Sequence, residues 1–427
     1  MTTIMTLNCG SSSVKYGLWR MPGEQPLAQG LIERIGIGGG SITHVVPGQA
    51  PLRLTRDSAT HADAIEAAFH LLSEGAHRVV GSVDEIDVVA HRVVHGGEHF
   101  THSVLIDDQV ISAIEDNAVL APLHNPNNLA GIRHATSILA DKPHTACWDT
   151  AFSAGFIPER ASTYAIPHEY GERYGIRRFG YQGLSHLYVT RRAAALMNRQ
   201  SSELNLVSLH IGNGSTVTAV RRGVPVDQSL GFSTCGEGLV MGTRCGDLDP
   251  TVPLFLMRHA GVSADEVEEV LYRRSGVLGI CGHVDRRDIV EAAARGDERA
   301  ELALEVECYR IQKYIGAYAA AMGGIDGIVF TAGVGENSPV HRARSCKDLG
   351  FLGVEMDADA NEEALGRTAE SEISTGSSRV KVFVIPTDEE LVMAEDSQAI
   401  LDGLYDIPTR FRYSFESPDF VPTYLRM

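Results

Sequence analysis

Three short segments of this chain carry the residue types that cradle phosphate: Asn8-Cys9-Gly10-Ser11-Ser12-Ser13, Gly212-Asn213-Gly214-Ser215 and Gly333-Val334-Gly335-Glu336-Asn337. Glycine lets the backbone approach a ligand closely, and successive N–H groups with serine hydroxyls make a concave anion site. The third segment runs on to Ser338-Pro339, an N-cap and first-turn proline, so it leads to the free N–H groups of a helix N-terminus. Such turns are also common as plain turns, and each segment alone fits either reading. There is no Walker lysine pattern and no dinucleotide fingerprint, so neither P-loop nor Rossmann binding fits.

Four more residues stand out by position. Arg92 lies inside the apolar run IDVVAHRVV, which is costly unless its charge is paired or faces a site. Arg244 sits in the glycine-flanked MGTRCGDLDP, His124 just precedes a helix signal, and Asp149 closes a strand signal. Singly, a buried ion pair, a loop histidine and a helix-capping acid account for them. Together, beside three phosphate-like segments, they form the set that phosphoryl transfer requires: cations for the equatorial oxygens and an acid that holds a metal.

The elements that must position these residues read as alternating strands and helices, an α/β pattern. TIMTLNCGSSSVKYGLW predicts a hairpin with a tight Asn/Gly/Ser turn, and LNLVSLHIGNGSTVTAVRRGVPVDQSL predicts a second about 200 residues later. A duplicated chain would show this, and so would two unrelated Gly/Ser turns. Residues 86–94 predict a strand stopped by Gly96-Gly97, and HTACW predicts another ending at Asp149. Asn125 followed by Pro126 predicts an N-cap and a helix running to about Leu139. Apolar spacing over 298–322 predicts the longest helix, and Gly327–Phe330 a strand. Thr387-Asp388-Glu389-Glu390 predicts a capping box opening a helix to about Leu401. Residues 403–427 have no helical period, but Phe411, Tyr413, Phe415, Phe420 and Tyr424 predict that this tail packs on protein.

Composition bounds the function. The chain has 427 residues, enough for two or three domains, with 44% apolar and 22% charged residues, as in globular proteins. A formal charge of −18 disfavours non-specific binding to nucleic acid or anionic membrane. No apolar run approaches the ~18 residues of a membrane span, and the amino terminus lacks a secretory pattern. Seven scattered cysteines, never at CxxC spacing, predict reduced and mostly buried thiols, hence a cytoplasmic protein without a zinc site.

NCGSSSVKY, HRVVHGG, LAPLHNPNNL, DTAF, HIGNGS, MGTRCGDLDP, FTAGVGENS and IPTDEEL, in this order, resemble the acetate kinase family. The resemblance implies an α/β fold of two duplicated actin-like (ribonuclease H-like) ATPase domains with ATP in the interdomain cleft. It implies an N-terminal domain over 1–150, joined by the C-terminal helix and tail 386–427. A C-terminal domain over 151–385 would bind nucleotide and form a homodimer. The implied reaction is ATP plus carboxylate giving ADP plus acyl phosphate, with Mg2+ (or Mn2+) as cofactor. Residue by residue, it implies Asn8 and Glu389 at the metal and Ser11, Ser13 and Lys15 near the phosphates. His210, Ile211, Gly212, Asn213 and Gly214 match the second phosphate hairpin. Asp285, Arg286 and Arg287 fall where the family holds adenosine, as do Gly333, Val334, Gly335, Glu336 and Asn337. Arg92 matches the carboxylate-binding arginine, and Val94 and Leu123 match walls of the acyl pocket. Arg244 and His124 match stabilisers of the transferring phosphoryl, and Asp149 the catalytic acid. A carboxylate substrate is already ionised at neutral pH, its reference pKa being about 4, so Asp149 is better suited to orienting Arg92 or a metal-bound water than to removing a proton.

The chain departs from the family pattern in four places. Where the family has phenylalanine (or similar) and histidine before Gly-Thr-Ser-His, this chain has Tyr181-Gln182 before Gly183-Leu184-Ser185-His186. Gln182 can donate a hydrogen bond to the phosphoryl but carries no charge. After DTAF the chain has Ser153-Ala154-Gly155-Phe156-Ile157 in place of histidine and is one residue longer. Phe232-Ser233-Thr234-Cys235-Gly236-Glu237 is also one residue longer and lacks a pocket-wall proline. Arg286 replaces an apolar or aromatic residue. By the resemblance, the first three fall around the acyl pocket and the phosphoryl acceptor side. Drift in tolerant loops, a preference for propionate or another short acid, and impaired chemistry all fit them. A nucleotide-binding protein that has lost transfer is the alternative of another class.

Overall fold

In the computed structural model, residues 1–366 and 369–422 are described, and they form two compact units. One comprises Met1–Gly155 with the chain from Asp388 onward; the other is Phe156–Thr387.

The first unit is built on β1 (Thr2–Cys9), β2 (Ser13–Met21), β3 (Pro26–Glu33), β4 (Ser41–Val45), β5 (Leu52–Thr55), β6 (Val88–Val93), β7 (Val104–Leu105) and β8 (His144–Trp148). Their order is β5-β4-β3-β2-β1-β6-β8-β7. β1 pairs antiparallel with β2, bringing Asn8 opposite Lys15, and parallel with β6. β6 pairs parallel with β8, setting Arg92 beside Cys147. Parallel strands covered on both faces become continuous apolar runs, and β8 is wholly buried while β6 admits only Arg92 as half-buried. The C-terminal ends of β1, β6 and β8 therefore lie side by side, delivering Asn8, Arg92 and Asp149 to one edge. Two helices cover this sheet, α1 (His61–Ser73), opened by a Thr60/Asp63 capping box, and α2 (Asn125–Ile138).

The second unit repeats the arrangement. Its strands are β9 (Asn205–Ile211), β10 (Ser215–Arg221), β11 (Val224–Gln228), β12 (Gly327–Thr331), β13 (Ser371–Glu372) and β14 (Lys381–Val384), in the order β11-β10-β9-β12-β14-β13. Strand for strand this matches β3-β2-β1-β6-β8-β7, with the same parallel centre and the same antiparallel edge strand. Duplication, not coincidence of two Gly/Ser turns, accounts for the paired hairpins. The helices used below are α3 (Gly183–Leu196), α4 (Arg286–Ala294), α5 (Glu298–Met322), α6 (Ala332–Asn337) and α7 (Pro339–Ser345), with α8 (Glu389–Leu401) belonging to the first unit. The 25-residue α5 is the long helix expected from its apolar spacing. Among the described residues no helix is long and apolar enough to cross a membrane, and the seven cysteines are free thiols.

Three local expectations are corrected. Asn125 is not the cap of α2. His124 holds that position, and the Asn125 side chain instead exchanges hydrogen bonds with the backbone of His95 at 3.1 Å. A tertiary acceptor and donor outcompete the helix end. The cap of α8 is Asp388, accepting from the Leu391 N–H, rather than a Thr387 capping box. Gly333–Asn337 is not a turn but the body of the short α6, which follows β12 directly; Ser338 and Pro339 do open α7 as expected.

The tail to residue 422 packs as its aromatic content predicted. Tyr413, Phe415 and Phe420 are buried, and Phe411 meets Tyr413 edge to face; Tyr424 lies outside the described residues. Asp396 on α8 accepts from Ser103 Oγ (2.6 Å), Tyr413 Oη (2.8 Å) and Tyr405 Oη (3.1 Å), while Ser414 N–H donates to Glu395 at 2.9 Å. Burial pushes the Asp396 carboxyl up to about 6 and that of Glu395 up to about 7. An acid whose native pKa lies above its unfolded value stabilises at pH below the unfolded pKa, and loses that contribution as pH rises through the native one. Glu395→Gln abolishes the titration. Relative to the parent, the variant should therefore gain on the order of 1–3 kcal/mol between pH 5 and pH 8. Urea denaturation of both proteins at each pH measures this, and an equal difference at the two values would rule it out.

Candidate active site

In the first unit, a half-buried cation organises the strand ends. Arg92 makes a two-pronged pair with Asp149, Nε to Oδ1 at 2.7 Å and Nη2 to Oδ2 at 2.6 Å, while Nη1 donates to Asn8 Oδ1 at 3.2 Å and Glu389 lies at 3.6 Å. Burial by itself would lower the guanidinium pKa; the carboxylates of Asp149 and Glu389 override it and hold the cation above its ordinary range. Glu389 reaches this place from the first turn of α8.

The turn of the first hairpin closes with Gly10 N–H on Ser13 O at 2.8 Å, and His61 Nε2 lies 2.7 Å from Gly10 O. Ser11 is exposed and Ser13 half-buried. Lys15 pairs with Glu390 at 2.7 Å, and Glu390 also accepts from Gln29 at 3.1 Å. Asn128 ties three elements together, donating to Cys9 O at 2.8 Å and accepting from Val94 N–H at 3.1 Å. Through Asn125 and Asn128, α2 fixes the exits of β1 and β6, with buried Val94, half-buried Leu123 and His124 at that junction. From sequence Asn125 stood out only as a helix cap and Glu390 only as part of a capping box, and Asn128 not at all, although it lies in the same HNPNN run.

The second unit carries its own set. At the β9–β10 turn, Gly212 N–H donates to Gly214 O (3.2 Å) and Ser215 Oγ (3.3 Å). A side chain on Gly214 would come within 3.2 Å of Arg244 Nη2, so this guanidinium lies against the glycine. Arg244 is half-buried, donates to Thr234 O, and among the described residues makes no ion pair with a carboxylate. Burial accordingly draws its pKa below the usual range. Gln182, in left-handed conformation at φ +57°, accepts from Thr216 Oγ1 at 2.6 Å and points its Nε2 at Gly214 O, 3.5 Å away. His210 Nδ1 meets Ser185 Oγ at 2.8 Å, and buried His186 bridges Ser208 and Thr216 at 2.8 and 2.7 Å. Burial, then the neighbouring His210, keeps His186 well below its ordinary pKa. Ile211 is buried in β9, and Gly242 N–H donates to Asn213 O at 3.1 Å. The signal for Ser208 and Thr216 was visible as polar residues alternating along both strands.

The adenosine candidates divide by exposure. Asp285 caps α4, and its pKa is lowered to about 2, first by the hydrogen bond from the exposed Arg287 side chain. Arg286 points inward to Glu307 at 2.9 Å, and His341 approaches the same carboxylate at 3.3 Å. On α6, Gly333 leaves open space above its Cα, while buried Glu336 folds back onto Ala332 N–H at 2.9 Å. Val334 packs against the core, and Asn337 Nδ2 donates to Gly333 O at 2.8 Å. Arg342 on α7 anchors the segment by donating to Gly335 O and Glu336 O at 2.9 and 3.1 Å.

As for metal ions, no group of three or more His, Cys, Asp or Glu among the described residues forms a binding cluster. Asn8 and Glu389 offer hard oxygens meeting at Arg92, a sparse set that fits Mg2+, which keeps several waters and takes its other ligands from phosphates.

Two glycine-bearing hairpins on duplicated α/β sheets, with Arg92 at a strand end of one and Arg244 against the turn of the other, define a phosphotransferase of the two-domain actin-like ATPase fold. The chain belongs to the acetokinase family: the family model, described as "Acetokinase family", matches residues 3–395, and the family transfers phosphoryl to a carboxylate. It is 48% identical over 419 residues to an acetate kinase of Geobacter metallireducens, covering 98% of this chain and 99% of the relative. Among solved structures, it resembles an acetate kinase of Porphyromonas gingivalis at 42% identity and TM-score 0.85, covering 94% of this chain and 100% of that one. A propionate kinase of Francisella tularensis matches at 36% identity and TM-score 0.84, covering 93% and 99%.

The Arg92–Asp149 geometry generates a prediction. Asp149→Asn should depress the rate by on the order of 10²-fold or more at every pH, because the clamp loses its alignment, and no limb of the pH–rate profile should disappear. Loss of an acidic limb with the rate otherwise intact would make Asp149 a general base instead.

Proposed function

We propose that this protein transfers the γ-phosphoryl group of ATP reversibly to acetate, giving acetyl phosphate and ADP, with Mg2+ (Mn2+ able to substitute). A carboxylate oxygen of acetate forms the new bond to phosphorus as the bond to the ADP oxygen breaks, and no proton is required from the acceptor. The observation that carries this reading is Arg244: a half-buried guanidinium without a carboxylate partner among the described residues, set against a glycine hairpin, is matched to an anion that arrives with substrate.

Arg92, held in one plane by Asp149, would orient the acetate carboxylate between the Val94 and Leu123 walls, and Tyr181 is the second unit's substrate-binding candidate. Arg244, His124 and Gln182 would face the transferring group. Ser11, Ser13, Lys15 and the run from His210 to Gly214 would hold phosphates, with Gly333–Asn337 and Asp285–Arg287 beside the nucleoside. Asn8 and Glu389 would hold the metal ion, which when bound neutralises charge on the phosphate oxygens. Exposed Phe255, Tyr309 and Phe351 on the second unit support a homodimer formed there, and the free thiols support a cytoplasmic location. The second reading, phosphorylation of propionate or another short acid, is favoured by Gln182 and the longer segment after Gly231.

Trapping acyl phosphate as the hydroxamate across acetate, propionate and butyrate, with ATP or pyrophosphate as donor, tests both readings. Acetate with ATP should give the highest turnover; a better acid in the panel would favour the second reading, and activity with pyrophosphate alone would overturn the choice of donor. Arg244→Ala should lower turnover on the order of 10³-fold, as loss of an arginine finger does, and a loss below tenfold would remove it from the transition state. Gln182→His should raise turnover with acetate by about tenfold, since charge-assisted donors are about twice as strong as neutral ones. No gain would leave the amide as competent as the imidazole.

A further inference from the structure

Tyr181, next to the Gln182 departure from the family pattern, touches another departure, the longer Phe232–Glu237 segment. Tyr181 is buried, and its backbone is gripped on both sides by Gln228, whose Oε1 accepts from Tyr181 N–H and whose Nε2 donates to Tyr181 O at 2.6 Å. Its hydroxyl donates to Phe232 O at 2.9 Å. Two residues further, Thr234 O is the acceptor that receives Arg244 Nη1. The ends of the segment are fastened elsewhere. Phe179 N–H binds Gly231 O at 3.0 Å, and Phe232 N–H binds Tyr164 Oη at 3.1 Å. Arg178 Nη2 meets Glu237 at 3.1 Å, and Gly238 N–H donates to Asp247 at 2.8 Å. Between those anchors, the tyrosine hydroxyl holds the Phe232 carbonyl on the stretch that leads through Gln182 into α3.

We propose that Tyr181 is a positioning residue for Arg244: its hydroxyl fixes Phe232, and so the Thr234 carbonyl that aims the guanidinium at the phosphate hairpin. The proposal rests on the phosphoryl-transfer reading. An arginine with a carboxylate partner is aligned by that partner, as Arg92 is. Arg244 has none among the described residues, so a neutral carbonyl on a loop sets its direction, and that loop must itself be held. A phenylalanine at position 181 would fill the same space but leave Phe232 O without this donor. The longer segment and the tyrosine are then one adaptation: extra length is compensated by an extra tether.

The test is a double-mutant cycle on acetate with ATP, using Tyr181→Phe, Arg244→Ala and the double variant, with thermal melts to confirm folding. Tyr181→Phe should lower kcat about fivefold, the worth of one net hydrogen bond, with KM for ATP and acetate unchanged within twofold. In the Arg244→Ala background the same change should have no further effect. A fall in kcat that multiplies with that of Arg244→Ala, or a change confined to carboxylate KM or to the acetate-to-butyrate preference, would overturn the proposal and leave Tyr181 as a pocket wall only. An independent readout is alkylation of buried Cys235 in the native protein, corrected by Cys235→Ala; it should quicken in Tyr181→Phe as the segment loosens. An unchanged rate would also overturn the tether. Absence of acyl phosphate from the parent enzyme on every acid would instead reject the phosphoryl-transfer reading, and the Cys235 rate would still report on the tether.

Discussion

The paired guanidinium and carboxylate of Arg92 and Asp149 govern the architecture of the first unit's site. Neither group could sit at the edge of a dry parallel sheet alone, because an uncompensated charge there costs several kcal/mol. Placed on β6 and just after β8, they neutralise one another across neighbouring strands, and the planar fork leaves one nitrogen free to reach Asn8 at the end of β1. Three strand ends and the first turn of α8 converge because a single cation demands oxygen from all of them. The same demand makes the group rigid, as recognition of a planar carboxylate requires.

The second unit solves the opposite problem. Arg244 is half-buried with no carboxylate partner among the described residues, so carbonyl contact alone offsets its desolvation there. Two arginines of the same chain thus have different electrostatic states: one satisfied and aligned, one under-neutralised beside glycine. That asymmetry suits a transfer reaction, in which one partner is a fixed acceptor and the other a group whose charge is redistributed in the transition state.

Buried polar bonds, more than the hydrophobic core, hold the catalytic candidates in register. Asn125 and Asn128 lock the strand exits of the first unit. Gln228, Ser208 and Thr216 do the same for Tyr181, Gln182 and His186 in the second. Each satisfies backbone or imidazole groups that would be costly to bury unpaired.

Much of this was legible in the sequence. Glycine and serine turns after apolar strands, the long period of α5, the Ser338-Pro339 start of α7 and the aromatic tail all follow from local backbone and burial preferences, which the sequence carries by itself. So does the family, because its motifs recur in order along the chain. The tertiary structure decided what those preferences could not: that Asn125 leaves its helix cap for His95, that Gly333–Asn337 coils into α6, that Lys15 meets Glu390, and that Arg286 turns inward to Glu307 while Arg287 stays outside. For Asn125, Lys15 and Arg286 the choice lay between a near neighbour and a partner tens or hundreds of residues away, and only folding brings the distant partner close enough to win.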